Sequence, residues 1–561
     1  MAGARPGSQY SFHSPGLSFY LLPFYALGRY LGKAGLILVL RFAMSLLGAL
    51  FALQLYLYAR SAWRQERLAL GLWFLAAFTS PIFFYSLHVY PEIVVALFGL
   101  TVFRLIRFSE KLTPGRLLLC GFLLASFVWL HALKYFFILV PLFLYGVWTL
   151  AKKRVSPGRW AAFLAAPAVM AGLYLLFTAK FYGSLNPTAV SWQGAMDGKQ
   201  TLGFLKDLFT GIPIRFRLDT LAGYFFDQRD GLFFYAPLYV FAFLGLIVLF
   251  RRKAGEAWLL LAMAGPYVFV SAFLTQRTGY APQARPLVAV SWVLLVCLGH
   301  YLAEPGKRGF VFLFRLAAGW SLLVVWLLLQ NPFALYQETT QGAADRAGDL
   351  FSILSNLHHS LPRWLPSFLK VEEWQWAPNF VWPALFLLLI AAFLLVRKPA
   401  ARLRQPHHLA LAAVFLSGFF VWFVGTPRTV LSGSRPAVLP NGPVLRFYNL
   451  SRVALMHQPG RFSILEDNRD YNFYFASPRR LDKLRIEFGS EKGDYDLTVG
   501  FWDNPPSVHA TRRTLDAIAV DRPPAYRWGR ALLYRISLHL ERRSDVRTGE
   551  NPYQFAITPV R

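Results

Sequence analysis

The chain has 561 residues, 56% of them hydrophobic, 17% aromatic and only 16% charged, where a soluble globular protein carries about 25% charged residues. The deficit falls in long apolar blocks, which excludes a single water-soluble core and points to membrane spans. The net charge of +29 does not indicate a nucleic-acid partner, because the Lys and Arg residues form short runs between apolar blocks, as cytoplasmic loops of membrane proteins do.

In chain order, Tyr10-Ser-Phe-His13-Ser-Pro15-Gly16 opens an apolar stretch ending at Gly28-Arg29. Segment 10–32 is too short and broken for a span, and reads as a short helix at the outer surface within an external N-terminal segment, 1–35. A hydrocarbon core about 30 Å thick needs about 20 apolar residues per helix. That ruler gives about twelve spans: 36–59, 68–87, 91–107, 116–131, 134–151, 159–181, 232–250, 256–275, 285–303, 308–330, 376–396 and 407–425. Trp129-Leu-His131 marks a break inside the 116–151 block. Cys120 and Cys297 both sit inside apolar blocks and offer no disulfide framework.

The basic runs Arg60/Arg64/Arg67, Lys152/Lys153/Arg154, Arg251/Arg252/Lys253, Lys307/Arg308 and Arg397/Lys398/Arg402/Arg404 all fall on one side of this arrangement. By the excess of Lys and Arg, that side is cytoplasmic. Loops 182–231 and 331–375 and everything after 426 then lie outside, on a bacterial plasma membrane protein whose C-terminal part is extracytoplasmic. Met1 to about Gly35 also falls outside with no preceding helix, so a further upstream helix and external loop are expected in the natural protein. Beyond about 430 the sequence changes to that of a soluble domain. Alternation in Arg461–Leu465, Tyr471–Phe475, Leu484–Phe488, Tyr495–Val499 and Leu533–Ser537, with turn residues between, predicts an antiparallel β-sandwich over 427–561. The expected fold class is therefore a polytopic α-helical membrane protein, 36–426, carrying that external domain.

Ionisable groups at membrane depth or at a helix mouth are costly, and each is a candidate for function. Glu92, after Pro91, heads a helix and serves either as a cap or as a functional carboxylate. Lys134, beside His131, either reaches the interface or forms a polar site. Asp227-Gln-Arg229-Asp230 reads first as a local ion network closing a loop. Arg277, Gln283 and Arg285 flank an external turn, and Arg285 enters a helix; its planar fork suits an anionic, phosphate-bearing ligand. Arg41, Arg104 and Arg315 carry no chemistry in this reading, Arg104 reaching the cytoplasmic side with Arg107. There is no P-loop, G-x-G-x-x-G or Cys/His metal cluster. No cofactor follows from the sequence, and a divalent metal stays open.

Several stretches together resemble the GT-C membrane glycosyltransferases, the relatives of protein O-mannosyltransferases and lipid A aminoarabinose transferases. They are His13-Ser-Pro15-Gly16 followed by Leu21-Leu-Pro-Phe-Tyr-Ala-Leu-Gly28, Tyr90-Pro91-Glu92, Tyr182-Gly-Ser184-Leu-Asn-Pro187, Gly231-Leu-Phe-Phe-Tyr-Ala-Pro237 and Ala284-Arg285-Pro286-Leu. The resemblance covers about residues 10 to 300. It implies transfer of a sugar from a polyprenyl-phosphate donor to a lipid, glycan or protein acceptor outside the membrane. By it, Arg285 and Lys134 hold the donor phosphate and Glu92 supports the acidic site. His131, His13, Arg277, Asp227 and Arg229 complete the donor-binding candidates. The superfamily's principal acidic residue lies in a first external loop to which nothing here corresponds. A transporter or flippase of a lipid-linked glycan, or a non-catalytic membrane scaffold, is the alternative.

Overall fold

The computed structural model describes residues 14–186, 210–275, 281–304, 308–330, 364–368 and 376–395, single positions between them, and the backbone of strands between 446 and 560. The helical part is a bundle in which six helices are long and apolar enough to cross a membrane: Gly16–Trp63, Pro114–His131, Pro157–Tyr182, Pro237–Phe273, Phe310–Leu329 and Ala377–Leu395. Phe136–Lys152 and Ser291–Leu302 are shorter apolar helices. Leucines such as Leu164, Leu173 and Leu176 stay exposed along Pro157–Tyr182. Outward apolar faces of this kind belong against lipid chains, since water would not tolerate so large a patch.

The first long stretch is not one rod. Helix α1 (Gly16–Gly28) and a 3-10 turn at Arg29–Leu31 meet α2 (Gly32–Trp63) at Gly32, whose φ of 69° and ψ of 179° only glycine adopts without strain. The chain folds back there. A Cβ on Gly28 would press on Leu36 and Val39, and the Tyr20 hydroxyl donates to Ala43 O at 3.1 Å. The far end of α1 meets another helix, with Gly16 against the Trp129 backbone and Phe19 edge-on to Trp129 at 5.5 Å. Helix α1 thus packs on α2 and on helix Pro114–His131, with only Leu21 and Gly28 of its residues buried.

Prolines and caps set most later boundaries. Helices α3 (Glu66–Phe78) and α4 (Ile82–Tyr85) are separated at Thr79-Ser80-Pro81, because proline removes a donor and its ring clashes with the preceding turn. Helix α5 (Glu92–Phe108) has its acid in the first turn and Arg107 in the last, each matched to the helix dipole. Helix α6 (Pro114–His131) starts on a Thr113 cap with proline at its first position, and α7 (Phe136–Lys152) begins after a four-residue turn. The break expected at Trp129–His131 lies at this turn. Helix α8 (Pro157–Tyr182) follows, and α9 (Ile214–Phe226) stands within the stretch read as an external loop.

Helix α10 (Leu232–Tyr235) leads through Ala236-Pro237 into α11 (Val240–Phe273), whose helical geometry is interrupted at Lys253, φ −148°. That interruption divides it near the boundary between the two spans expected at 232–250 and 256–275. The expected span 285–303 is likewise divided, into α12 (Arg285–Val288) and α13 (Ser291–Leu302). Helices α14 (Arg308–Gln330) and α15 (Trp376–Leu395) complete the helical part. Helices α11 and α13 touch backbone to backbone, since a Cβ on Gly245 would drive into the carbonyl of Cys297. Both cysteines are free and buried. The expected span 407–425 and most of loop 331–375 lie outside the described residues.

Between 446 and 560 the backbone forms two antiparallel sheets, of six and five strands. Strand Ala531–Arg542 lies at the middle of the first, flanked by Arg469–Ser477 and Tyr495–Phe501. In the second, Tyr553–Val560 runs between Arg461–Ile464 and Lys483–Gly489.

Candidate functional site

Three elements remote in sequence meet where α5 begins. Glu92 is carried by the first turn of α5, Lys134 by the turn between α6 and α7, and Arg285 by the first residue of α12. Lys134 Nζ lies 2.7 Å and Arg285 Nε 3.0 Å from the same carboxylate oxygen, Oε1 of Glu92. Glu92 is fully buried, while the side chains of Lys134 and Arg285 are 16% and 29% exposed. The carboxylate therefore lies beneath two cations that reach toward the surface, and the cluster carries one net positive charge. Removing a charge from water is costly, and only good partners offset the cost. Glu92 has two on one oxygen. Its Oε2 is buried with no hydrogen-bond partner among the described residues, as is the Tyr135 hydroxyl.

Aromatic rings wall the cluster. The Arg285 guanidinium sits 4.4 Å from the Tyr90 ring centre and Lys134 Nζ 5.4 Å from that of Tyr135, both within cation–π range. Tyr85 packs 5.6 Å from Tyr90 and donates from its hydroxyl to Pro282 O at 2.7 Å, tying α4 to the turn before Arg285. Tyr135 and Tyr267 stack at 6.2 Å.

The Asp227–Gly231 stretch acts as a clamp. Asp227 Oδ1 accepts from Arg229 N at 2.7 Å, closing a turn of the kind short acidic side chains favour, and Asp227 Oδ2 accepts from Phe368 N at 2.8 Å. Gln228 N donates to Pro366 O at 2.9 Å. Asp230 accepts twice from Ala284 N, at its carbonyl (3.1 Å) and at Oδ1 (3.0 Å). Ala284 is left-handed, φ 59°, which costs a residue with a Cβ roughly 1–2 kcal/mol. Asp230 holds that conformation in place and so aims Arg285 at Glu92. The hydrogen bonds described above run to backbone amides and carbonyls.

The remaining candidates fall as follows. His131 caps its own turn, its Nδ1 accepting from Lys134 N at 3.1 Å, and its ring is edge-on to Tyr135. It thereby presents Lys134 to Glu92. Asp227 and Arg229 are buried in the clamp, one turn of chain from the residue that steers Arg285. His13 and Arg277 lie outside the described residues. The tyrosines at 85, 135 and 267 were not singled out from sequence, while Asp230 and Tyr90 were noted only within the stretches Asp227–Asp230 and Tyr90-Pro91-Glu92; the closeness of Tyr85, Tyr90 and Glu92 within eight residues was the available signal. Among the described residues no group of three or more His, Cys, Asp or Glu side chains is placed to hold a metal ion. Comparison with known protein families gives no match for this chain, and comparison with curated proteins gives none either.

Proposed function

We propose that the chain is a membrane transferase of the GT-C glycosyltransferase type, moving a sugar from a polyprenyl-phosphate donor to an acceptor on the outer face of the membrane. The observation that carries this reading is the Glu92–Lys134–Arg285 cluster. It is a cationic site, part-open, at the head of membrane helices, with a buried carboxylate fixing the two cations in place. Cations so placed suit the oxygens of a phosphate. An apolar hollow of about 250 Å³ lies along the same helices, lined by Leu124 and Val128 of α6, Leu139 and Phe143 of α7, and Pro167 of α8. A donor with a charged head and a long hydrocarbon tail matches that pairing of features. In the same reading the unpaired Oε2 of Glu92 and the Tyr135 hydroxyl meet sugar hydroxyls, the bundle has about twelve crossings, and the two sheets pack as an external sandwich on a bacterial plasma membrane protein.

A transporter or flippase of a lipid-linked glycan is the second reading. The broken helices at Thr79–Pro81, Ala236–Pro237 and 289–290 favour it. The deciding experiment follows a radiolabelled sugar from a panel of polyprenyl-phosphate donors in proteoliposomes. Donor-dependent transfer that Arg285→Ala reduces roughly ten- to hundredfold is the expected result, since a hydrogen bond to a charged group contributes about 1.5–3 kcal/mol. Accelerated movement of the intact lipid between leaflets, with no transfer from any donor, sinks the transferase.

A further inference from the structure

A second charged cavity lies at the other end of α5, about 20 Å along the helix from Glu92 at 1.5 Å per residue. Its volume is about 600 Å³, and it is lined by Ser61 at the end of α2, Arg104 and Ser109 from the end of α5, and Lys111, Thr113 and Arg116 leading into α6. Sequence reading gives Arg104 no chemistry and sends it out beside Arg107. The structure separates the two.

The ion pairs at this end show why Arg104 differs. Arg107 meets Glu256 at 2.7 Å, Arg252 meets Glu304 at 2.6 Å, and Arg60 approaches Glu66 at 3.9 Å. Arg104, half-buried, donates from Nε to the neutral Gln54 Oε1 at 2.8 Å and has no carboxylate partner among the described residues. Its charge faces the cavity together with those of Arg116 and Lys111. Arg116 is held over the cavity from both sides: Nη1 donates to Lys111 O at 3.2 Å, and its backbone N donates to Thr113 Oγ1 at 3.4 Å. Lys153 Nζ pins the wall by donating to Ser109 O at 3.2 Å. One carboxylate, Glu110, shares the lining, so three cations leave an excess of two positive charges. The N-terminus of α6, an 18-residue helix, adds its positive dipole end at the same place.

The geometry points to a binding site for the phosphate of an anionic phospholipid headgroup. A basic loop alone is explained by topology, but a half-buried arginine without a counter-ion, turned into a cavity with two further cations, is not. The lipid is favoured over a free phosphate ion because the apolar faces beside the cavity are bare. Leu118, Leu119 and Phe122 of α6 and Leu50 and Leu53 of α2 are exposed just below the cations, where acyl chains attached to the headgroup run. Basic pockets between membrane helices take anionic headgroups in this way. The site is separate from the Glu92 cluster, and its test does not depend on sugar transfer.

The test measures lipid kept by the full chain after extraction from vesicles of phosphatidylcholine and phosphatidylglycerol in equal parts, by native mass spectrometry. Wild type is expected to retain phosphatidylglycerol in preference to phosphatidylcholine. Each cation beside an anionic headgroup contributes roughly a fivefold gain in affinity, so Arg104→Gln with Arg116→Gln weakens retention roughly thirtyfold. Lys152→Gln with Arg154→Gln, which removes the same charge from a loop outside the cavity, leaves it unchanged. Arg104→Lys with Arg116→Lys keeps the charge and retains the lipid, which separates headgroup binding from misfolding. Equal loss from both glutamine pairs overturns the site, as does equal retention of both lipids. Displacement of the signal by inorganic phosphate alone shows a free-ion site and overturns the lipid.

Discussion

The two ends of α5 solve the same electrostatic problem differently. At each, one buried carboxylate meets two basic side chains. Glu92 holds Lys134 and Arg285 on a single oxygen, and both cations open toward the surface. Glu256 divides its oxygens, taking Arg107 on Oε2 at 2.7 Å while the His300 imidazole stands 3.6 Å from Oε1, beyond good hydrogen-bond length. Rings close over this second cluster: Trp63 lies edge-on to His300 at 5.1 Å, and Arg107 packs 5.3 Å from the centre of Phe108. The Glu256 cluster fastens α5, α11 and α13 to one another, with Arg107 23% and His300 13% exposed. The Glu92 cluster is built of similar parts, with both cations on one oxygen and the other oxygen, like Glu256 Oε1, buried without a hydrogen-bond partner among the described residues. What separates the two is how the basic groups are shared, both on one carboxylate oxygen at Glu92 and one on each oxygen at Glu256.

Substitutions at the two carboxylates test that contrast most severely. Glu92→Ala leaves two cations facing each other over a buried space, and breaking a buried pair costs about 3–5 kcal/mol. Thermal unfolding in detergent is expected to show that loss, and a fall under 1 kcal/mol would mean the cations escape to water freely. Glu256→Gln keeps the shape and removes one charge. Arg107 is already 23% exposed and can turn outward, so the expected loss is smaller, about 1–3 kcal/mol. If Glu256→Gln proves the more damaging, the Glu256 cluster is the main electrostatic fastening of the two.

The smallest effect has the opposite sign. Ala284→Gly relieves the left-handed backbone and is expected to stabilise the fold by about 1 kcal/mol. The same change loosens the aim of Arg285, so donor affinity falls while stability rises. A variant that gains stability and binds donor as before shows that Asp230 alone fixes the arginine.

Much of the site was visible in the sequence as separate anomalies. Glu92, Lys134 and Arg285 each stand out as a charge in apolar surroundings. Their convergence was not legible, because the partners lie 42 and 193 residues from Glu92 and no local pattern encodes such a contact. The expected spans 68–87 and 232–250 ran straight through Pro81 and Pro237, where proline was the available signal for a break, whereas the break at 289–290 has no proline. Glu256 escaped attention because it stands beside Arg251, Arg252 and Lys253 and reads as part of a basic loop. The role of His131 was missed for a related reason: its described bond is to a backbone amide, and side-chain chemistry says nothing about that. The return at Gly32 was not legible either, since one glycine in an apolar stretch does not reveal a fold-back.

The separation of the three charges also orders events in time. A chain made from its N-terminus delivers Glu92 first, Lys134 42 residues later and Arg285 193 residues after Glu92. At about 5–20 residues per second, roughly eight to thirty seconds pass between the arrival of the lysine and that of the arginine. Throughout that interval Lys134 is the only one of the two cations already made. Its loss is therefore expected to show first as poor insertion into the membrane.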